Sequence, residues 1–254
     1  MSWTHDLWRA VARGREAFAA PERAGLRVLG YHSVGSTLPG DRYGLSTSSE
    51  AFARQMTLVA SGRFGKPTSL GGAKLDGSAR ICVTFDDGYL DTLTTAAPIL
   101  ARLTLPFSVC VTPELLDSGR PHLAWPELKN LALVPGCEIG AHGLTHARLD
   151  ALGDAKLARE LSESRRRLED ALGRPVTVMT WPHGAASRRT AEFAGRAGFV
   201  RAGCSLYGLN EPGRNPLLLK RTEIVSFDDE RDFAGKASGT WDWFALRQGD
   251  PAAQ

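Results

Sequence analysis

The stretch Ile81-Cys82-Val83-Thr84-Phe85-Asp86-Asp87-Gly88-Tyr89 decides how this 254-residue chain is read. Residues 81–84 are apolar and β-branched over a short run, which predicts a buried strand. Two carboxylates and a glycine follow, and then a helical pattern begins. In α/β folds, ligands sit in the loops at the C-terminal ends of strands. Neighbouring side chains diverge on an extended or turning backbone, so one Asp can bind a metal while the other faces a water. The plain alternative is a solvated acidic turn that caps the next helix.

On either side of this stretch, strand and helix patterns alternate. Leu26–Tyr31 reads as a first strand that delivers His32 at its end, followed by a Gly-, Ser- and Pro-rich loop to about residue 46. Ser48 or Ser49 can cap a helix over 50–60 with Phe52, Met56 and Val59 facing inward. Beyond a loop at 71–79 and the central strand, a helix over 90–103 is expected to kink at Pro98. Strands are expected at 106–111, Cys137–Ala141, 176–180, 199–202 and 217–220. Helices are expected at 125–133, at Asp154–Leu172 with Gly173 as its stop, at 187–197 and at 229–244. The run Arg165, Arg166, Arg167 reads as a solvated helix face.

Such alternation, six or seven times without a repeat or linker, predicts one α/β domain: a mostly parallel sheet wrapped by helices. Eight good strands are hard to count, so a distorted or incomplete (β/α) barrel is the expected form. The expected divisions are an amphipathic lead-in at 1–25 (Trp3, Leu7, Trp8, Val11, Phe18), a main α/β domain at 26–244 and a frayed tail at 245–254.

Composition narrows the classes. Hydrophobic residues make up 43% of the chain, ample for a core, and a net charge of +3 does not call for a nucleic-acid partner. Arg9, Arg13, Arg15 and Glu16 interrupt the N-terminal stretch, so no export signal and no membrane span is read there, and a cytoplasmic location is expected. The four cysteines, Cys82, Cys110, Cys137 and Cys204, lie in or beside apolar runs without a CxxC pair, which predicts buried thiols rather than a thiolate metal site. Trp241 and Trp243 read as core packing.

The polar residues cluster in the pattern. Four of the six histidines, His32, His142, His146 and His183, fall just after a predicted strand, and so do Asp86 and Asp87. In a βα-repeat those positions share one rim. If the loop begins to coil at His142, an i,i+4 pair puts both imidazoles on one face, within reach of one ion. With Asp87 that makes two nitrogens and one carboxylate oxygen, a catalytic set with open positions rather than a structural one. The ion would bring the pKa of its water down to about 7 and polarise a carbonyl oxygen. Asp86 is then placed to act as general base, and His32 to protonate a leaving amine.

These residues resemble a known family. Thr84-Phe85-Asp86-Asp87-Gly88-Tyr89 and His142-Gly143-Leu144-Thr145-His146 are similar to the first two motifs of the polysaccharide deacetylases, the NodB-like carbohydrate esterases. Trp181-Pro182-His183-Gly184 resembles their third motif, which usually ends Pro-Tyr-Gly. Gly30-Tyr31-His32-Ser33-Val34, the Phe52…Gln55-Met56 helix and Leu219-Lys220-Arg221 are similar to the subgroup that deacetylates poly-N-acetylglucosamine. The resemblance implies a distorted (β/α) barrel and removal of an acetyl group from a sugar or glycan precursor. It implies Asp86 as base, His32 as acid, and Asp87, His142 and His146 as ligands of one divalent ion: Zn²⁺ first, with Co²⁺, Ni²⁺ or Mn²⁺ as alternatives. Tyr89, Trp181, Pro182 and His183 would line the substrate and oxyanion side, with the His183 backbone N–H aimed at the oxyanion. Two departures stand out. The Arg found two residues before the third-motif Pro in some members is Thr180 here, leaving Arg221 to orient Asp86, and the usual Tyr is His183. Hydrolysis of another amide, such as a formamide or cyclic imide, and non-catalytic sugar binding remain alternatives.

Overall fold

The computed structural model describes residues 8–11, 24–116, 118–119 and 121–252. Its centre is a ring of parallel strands, most of whose residues are buried. β1 (Leu26–Tyr31) is fully buried and pairs with β5 (Arg80–Phe85) over its whole length. From β5 the sheet continues through β6 (Phe107–Val111), β7 (Cys137–Ala141), β8 (Val178–Thr180) and β9 (Arg201–Cys204), all in parallel register. A single short segment then closes it. Its first half, β10 (Leu219–Lys220), pairs with β9, and its second half, β11 (Thr222–Glu223), pairs with β1. β4 (Lys66–Thr68) lies against the first half of β5, where β6 has not yet begun to pair. The sheet is thus a nearly closed, distorted barrel with helices outside it, as the sequence pattern predicts.

The helices follow the expected positions with informative differences. α1 (Ser49–Ala60) is capped by the Ser48 hydroxyl and buries Phe52, Gln55, Met56 and Val59. Tyr31 packs on Phe52 and Phe85 and donates its hydroxyl to Gln55 at 2.8 Å. The predicted 90–103 helix opens into a π-turn over Thr92–Ala96, where the Ala97 N–H reaches back five residues to Thr92, before α2 (Ala97–Arg102). Pro98 explains the opening, because it has no N–H to give and its ring crowds the preceding turn. α3 (Trp125–Ala132), α4 (Asp154–Leu172) and α5 (Arg188–Arg196) match their predictions within a residue or so. α6 (Glu230–Ser238) is shorter than the predicted 229–244, because Gly239 takes φ 102° and ends it. The 199–202 strand forms two residues later, at 201–204. Within the predicted loop after His32, β2 (Ser33–Val34) pairs with β3 (Ser46–Thr47).

Two surface expectations are corrected. The tail does not fray through residue 252: Arg214 pairs with Asp250 at 2.6 Å, Gln248 bonds the 205–207 loop, and the Ala252 carbonyl accepts from Arg188. Nor is the arginine run uniformly solvated, since Arg165 clamps the carbonyls of Val176 and Ala197. Trp241 is buried against Tyr207, and Trp243 stacks between Trp241 and Trp8. Of the proposed lead-in only Trp8 and Val11 belong to the described residues; Trp3, Leu7 and Phe18 lie outside them. All four cysteines are free.

Inside the barrel the period-2 alternation of strands stacks side chains in layers. Val28, Cys82, Val178 and Leu219 form an apolar layer with Leu26, closed from below by Leu70 and Ala73. One step further along the same inward rows come Gly30, Thr84, Thr180, Gly203 and Arg221. The next step delivers His32, Asp86 and Glu223 at the C-terminal rim, where His142 arrives just past the end of β7. The site is therefore the polar top layer of the barrel's own interior.

Candidate functional site

Asp86 follows β5 directly and is buried, with 1% of its surface exposed. Its Oδ2 accepts from Arg221 at 2.6 Å, and its Oδ1 accepts from the Thr180 hydroxyl at 2.7 Å. Burial pushes this carboxyl up, but Arg221, His142 and His32 outweigh it and hold it below the usual carboxylate range. Arg221 sits between β10 and β11 and is itself buried. It also pairs with Glu223 at 2.9 Å, and Glu223 accepts from Ser205 at 2.8 Å.

Asp87 turns away from Asp86 because it adopts a left-handed conformation, φ 67°, followed by Gly88 at φ 79°. A side chain at 88 would meet Val111 Cγ1 at 2.9 Å, so glycine is required there on both counts. The turn aims Asp87 at the histidines: Oδ1 lies 3.4 Å from His142 Nε2 and 3.2 Å from His146 Nε2. Asp87, too, is held well below the usual range; burial opposes this, and the three neighbouring histidines win.

His142 and His146 come together by a different route from the predicted helical turn. The 142–148 segment is a bent loop, and His146 itself has φ 65°. The buried Glu160 carboxylate on α4 ties this loop, accepting from the Leu144 and Thr145 N–H groups at 2.8 and 3.1 Å and from the Thr145 hydroxyl at 2.7 Å. The two imidazole centroids end 5.0 Å apart. Burial pushes His142 down toward the neutral form, whereas the polar contact with Asp87 pushes His146 up.

One ring nitrogen of each histidine and a carboxylate oxygen of Asp87 all lie within 4.8 Å of one another. Asp87 Oδ1 is buried without a hydrogen-bond partner. Tetrahedral ligation at about 2.0–2.1 Å sets ligand atoms about 3.3 Å apart, which matches the Asp87–His142 and Asp87–His146 separations. The donor set, two imidazoles and a carboxylate, suits Zn²⁺ and its first-row neighbours. The residues present fit a single divalent cation.

His32 stands opposite, with Nε2 3.9 Å from Asp86 Oδ2 and Nδ1 4.0 Å from Glu223 Oε2. Tyr89 is half-buried beside Asp87 and stacks on His122, ring centroids 5.0 Å apart. His183, also left-handed at φ 59°, packs edge-on against His146 and donates Nε2–H to the His146 carbonyl at 3.2 Å. Pro182 is buried and lies against Gly143 of the histidine loop. Trp181 does not reach the rim. Its backbone continues β8 by bonding Gly203, so it points oppositely to Thr180, is fully buried in the helix layer, and donates Nε1–H to the Leu217 carbonyl at 3.0 Å. Glu160, Glu223 and His122 join the site although no motif in the sequence contains them. The first two carry a signal in retrospect, each being an acidic residue on an otherwise inward-facing row.

Comparison with known proteins follows from this geometry. A family model described as "Polysaccharide deacetylase" matches residues 74–202, just over half of the chain. The protein YxkH of Bacillus subtilis (strain 168), provisionally named a polysaccharide deacetylase, is 24% identical over 119 residues, covering 47% of this chain. The match spans only 42% of YxkH, less than half of its length. Among solved structures, the deacetylase PplD of Streptococcus pyogenes, in complex with acetate, superposes with a TM-score of 0.73 at 18% identity, covering 85% of this chain and 99% of that one. IcaB from Ammonifex degensii gives a TM-score of 0.69 at 24% identity, covering 86% and 97%. At these identities the structural likeness is one of fold.

Proposed function

The chain belongs to the polysaccharide deacetylase family, and from that premise we propose that it is a divalent-metal-dependent hydrolase that removes the acetyl group of an N-acetylated sugar or glycan precursor. The observation that carries this reading is the convergence of Asp87, His142 and His146 within 4.8 Å beside the ionised, Arg221-paired Asp86. The cation, Zn²⁺ or a first-row neighbour, supplies Lewis acidity, making a water more acidic and an acyl oxygen more electrophilic.

The chain's own residues divide the remaining work. Asp86 Oδ2 takes a proton from the attacking water. His32, across the rim, gives one to the amine nitrogen as the C–N bond breaks, so acetate and a free amine leave. The backbone N–H of His183 faces the developing oxyanion, and Tyr89 with His122 forms a flat wall on which a sugar ring can lie. Arg221 keeps Asp86 ionised and aimed.

The test is turnover by the purified protein with Zn²⁺, Co²⁺ or Ni²⁺, read by mass spectrometry as loss of acetyl across N-acetyl sugars, polymers, lipid- or nucleotide-linked precursors and small acetyl esters. Asp86→Asn should lower turnover by about 10²–10⁴-fold while the metal stays bound. Full turnover in that variant refutes the base assignment. Deformylation or imide hydrolysis without deacetylation would move the substrate to another amide.

A further inference from the structure

The Thr180 hydroxyl touches two groups with opposite roles. Its Oγ1 lies 2.7 Å from His142 Nδ1 and 2.7 Å from Asp86 Oδ1, and its own carbonyl oxygen lies 3.0 Å from the same Nδ1. All three residues are buried. A hydroxyl carries one proton, and a carbonyl or ionised carboxylate can only accept. Asp86 is paired with the buried Arg221 guanidinium at 2.6 Å, which makes its carboxylate oxygens acceptors, so the Thr180 proton goes to Oδ1. His142 Nδ1 must then carry its own proton and give it to the two Thr180 oxygens. In the neutral imidazole, the form that ligates, the Nε2 lone pair then faces Asp87, 3.4 Å away. The opposite tautomer would set an Nδ1 lone pair against a carbonyl and leave Asp86 Oδ1 unpaired, an unfavourable arrangement for a buried polar group.

Position, not vacancy, distinguishes the two oxygens of Asp86. Each accepts one bond, Oδ1 from the Thr180 hydroxyl at 2.7 Å and Oδ2 from Arg221 at 2.6 Å. Oδ2 is the one that lies 4.0 Å from His142 Nε2 and 3.9 Å from His32 Nε2. Thr180 sits at the end of a strand, its β-branched side chain has few rotamers, and its inward direction is fixed by the alternation that sends Trp181 outward.

We propose that Thr180 is a positioning residue that ties the cation ligand His142 to the base Asp86, so that one hydroxyl sets both the ligand's tautomer and the base's working oxygen. This rests on the reading of the metal set and of Asp86 given above. Partners of this kind, one bond beyond a ligand, are worth about 10–100-fold in metal affinity.

The experiment compares Thr180→Val, which keeps the shape and deletes the hydroxyl, with Thr180→Ser, which keeps the hydroxyl. Zn²⁺ and Co²⁺ affinities are measured by competition with a chromophoric chelator, alongside the visible spectrum of the Co²⁺ form and the melting temperature of the metal-free protein. Thr180→Val should bind about 10–100-fold more weakly and change the Co²⁺ spectrum, while Thr180→Ser restores both. Repeating Thr180→Val in an Asp86→Ala background should give non-additive losses of metal affinity, because either change alone breaks the Thr180–Asp86 bond. Unchanged affinity and spectrum in Thr180→Val overturn the proposal, and strict additivity overturns the tie to the base. Should Thr180→Val melt far below the wild type, Thr180→Ala removes the hydroxyl without setting a methyl against Asp86. A wild-type protein that binds no divalent cation instead sinks the parent reading, so the two failures are distinguishable.

Discussion

Replacing Arg221 with Met removes the positive charge at the centre of the barrel and keeps most of the apolar stem. Arg221 and Asp86 are each 1% exposed and joined at 2.6 Å, and Glu223, 2.9 Å away on the other side, is only partly reached by solvent. Removing one partner of a buried pair strands the other, at about 3–5 kcal/mol. For a chain of this size each kcal/mol shifts melting by about 2–4 °C, so Arg221→Met should melt roughly 6–20 °C lower near neutrality. The pH dependence has a definite sign. In the wild type the folded Asp86 carboxyl lies below its usual value, so it stabilises the fold above the unfolded pKa of about 3.9 and loses that contribution as pH falls through the folded value. Without Arg221 burial dominates, the folded carboxyl favours its proton, and the penalty is present at neutrality and relieved on acidification. Thermal melts of both metal-free proteins should therefore draw together between about pH 7 and pH 4.5. A difference under about 2 °C at neutrality, or one that does not shrink with acid, refutes the argument that Arg221 neutralises a buried base.

Three further outcomes are expected. Glu160→Gln replaces the carboxylate that holds three donors of the 144–145 loop, and should weaken Zn²⁺ binding by about 10–100-fold in a chelator competition. Uptake of the cation should release protons and weaken on acidification, because His146, pushed up by Asp87, must become neutral to ligate; proton release measured in weakly buffered solution checks this, and His142, pushed down by burial, contributes little to it. Gly88→Ala meets both a left-handed φ and Val111 at 2.9 Å, and should destabilise by about 2 kcal/mol or more in a denaturant titration.

Much of the site could be read from the chain because its parts end strands. Asp86 and Asp87 follow an unmistakable apolar run, and once a parallel barrel is granted, every strand end opens onto one rim. What could not be read is what depends on direction and on distant partners. Trp181 lies one residue after Thr180, and a strand's alternation sends one inward and the other outward; motif likeness carries no such parity, so Trp181 was expected at the rim and lies in the helix layer. His142 and His146 were expected to meet on a coil, but their convergence depends on Glu160, a helix residue sixteen positions from Leu144. β4 and β11 are three and two residues long, too short for a periodicity to declare itself, whereas β10 lies inside the expected strand at 217–220.

The closing segment joins fold and chemistry. β10 and β11 are one stretch of chain, paired with β9 before Arg221 and with β1 after it. Arg221 can reach Asp86 only because the segment crosses the gap between the two edges of the sheet, and Gly30 and Gly203 beside it carry no side chains to fill the space its guanidinium occupies: a Cβ would stand 3.1 Å from Arg221 Nη1 at Gly30 and 3.3 Å from its Cδ at Gly203. The buried cation is in turn what makes it tolerable for Asp86 and Glu223 to face each other at the top of an otherwise apolar interior. Barrel closure and base ionisation are therefore one event: a chain in which this segment is unpaired has neither a sealed sheet nor a carboxylate fit to take a proton. Partial opening confined to residues 221–223 should then abolish turnover before it exposes the core, because Asp86 loses Arg221 while Leu219 still covers the apolar layer of Val28, Cys82 and Val178 below.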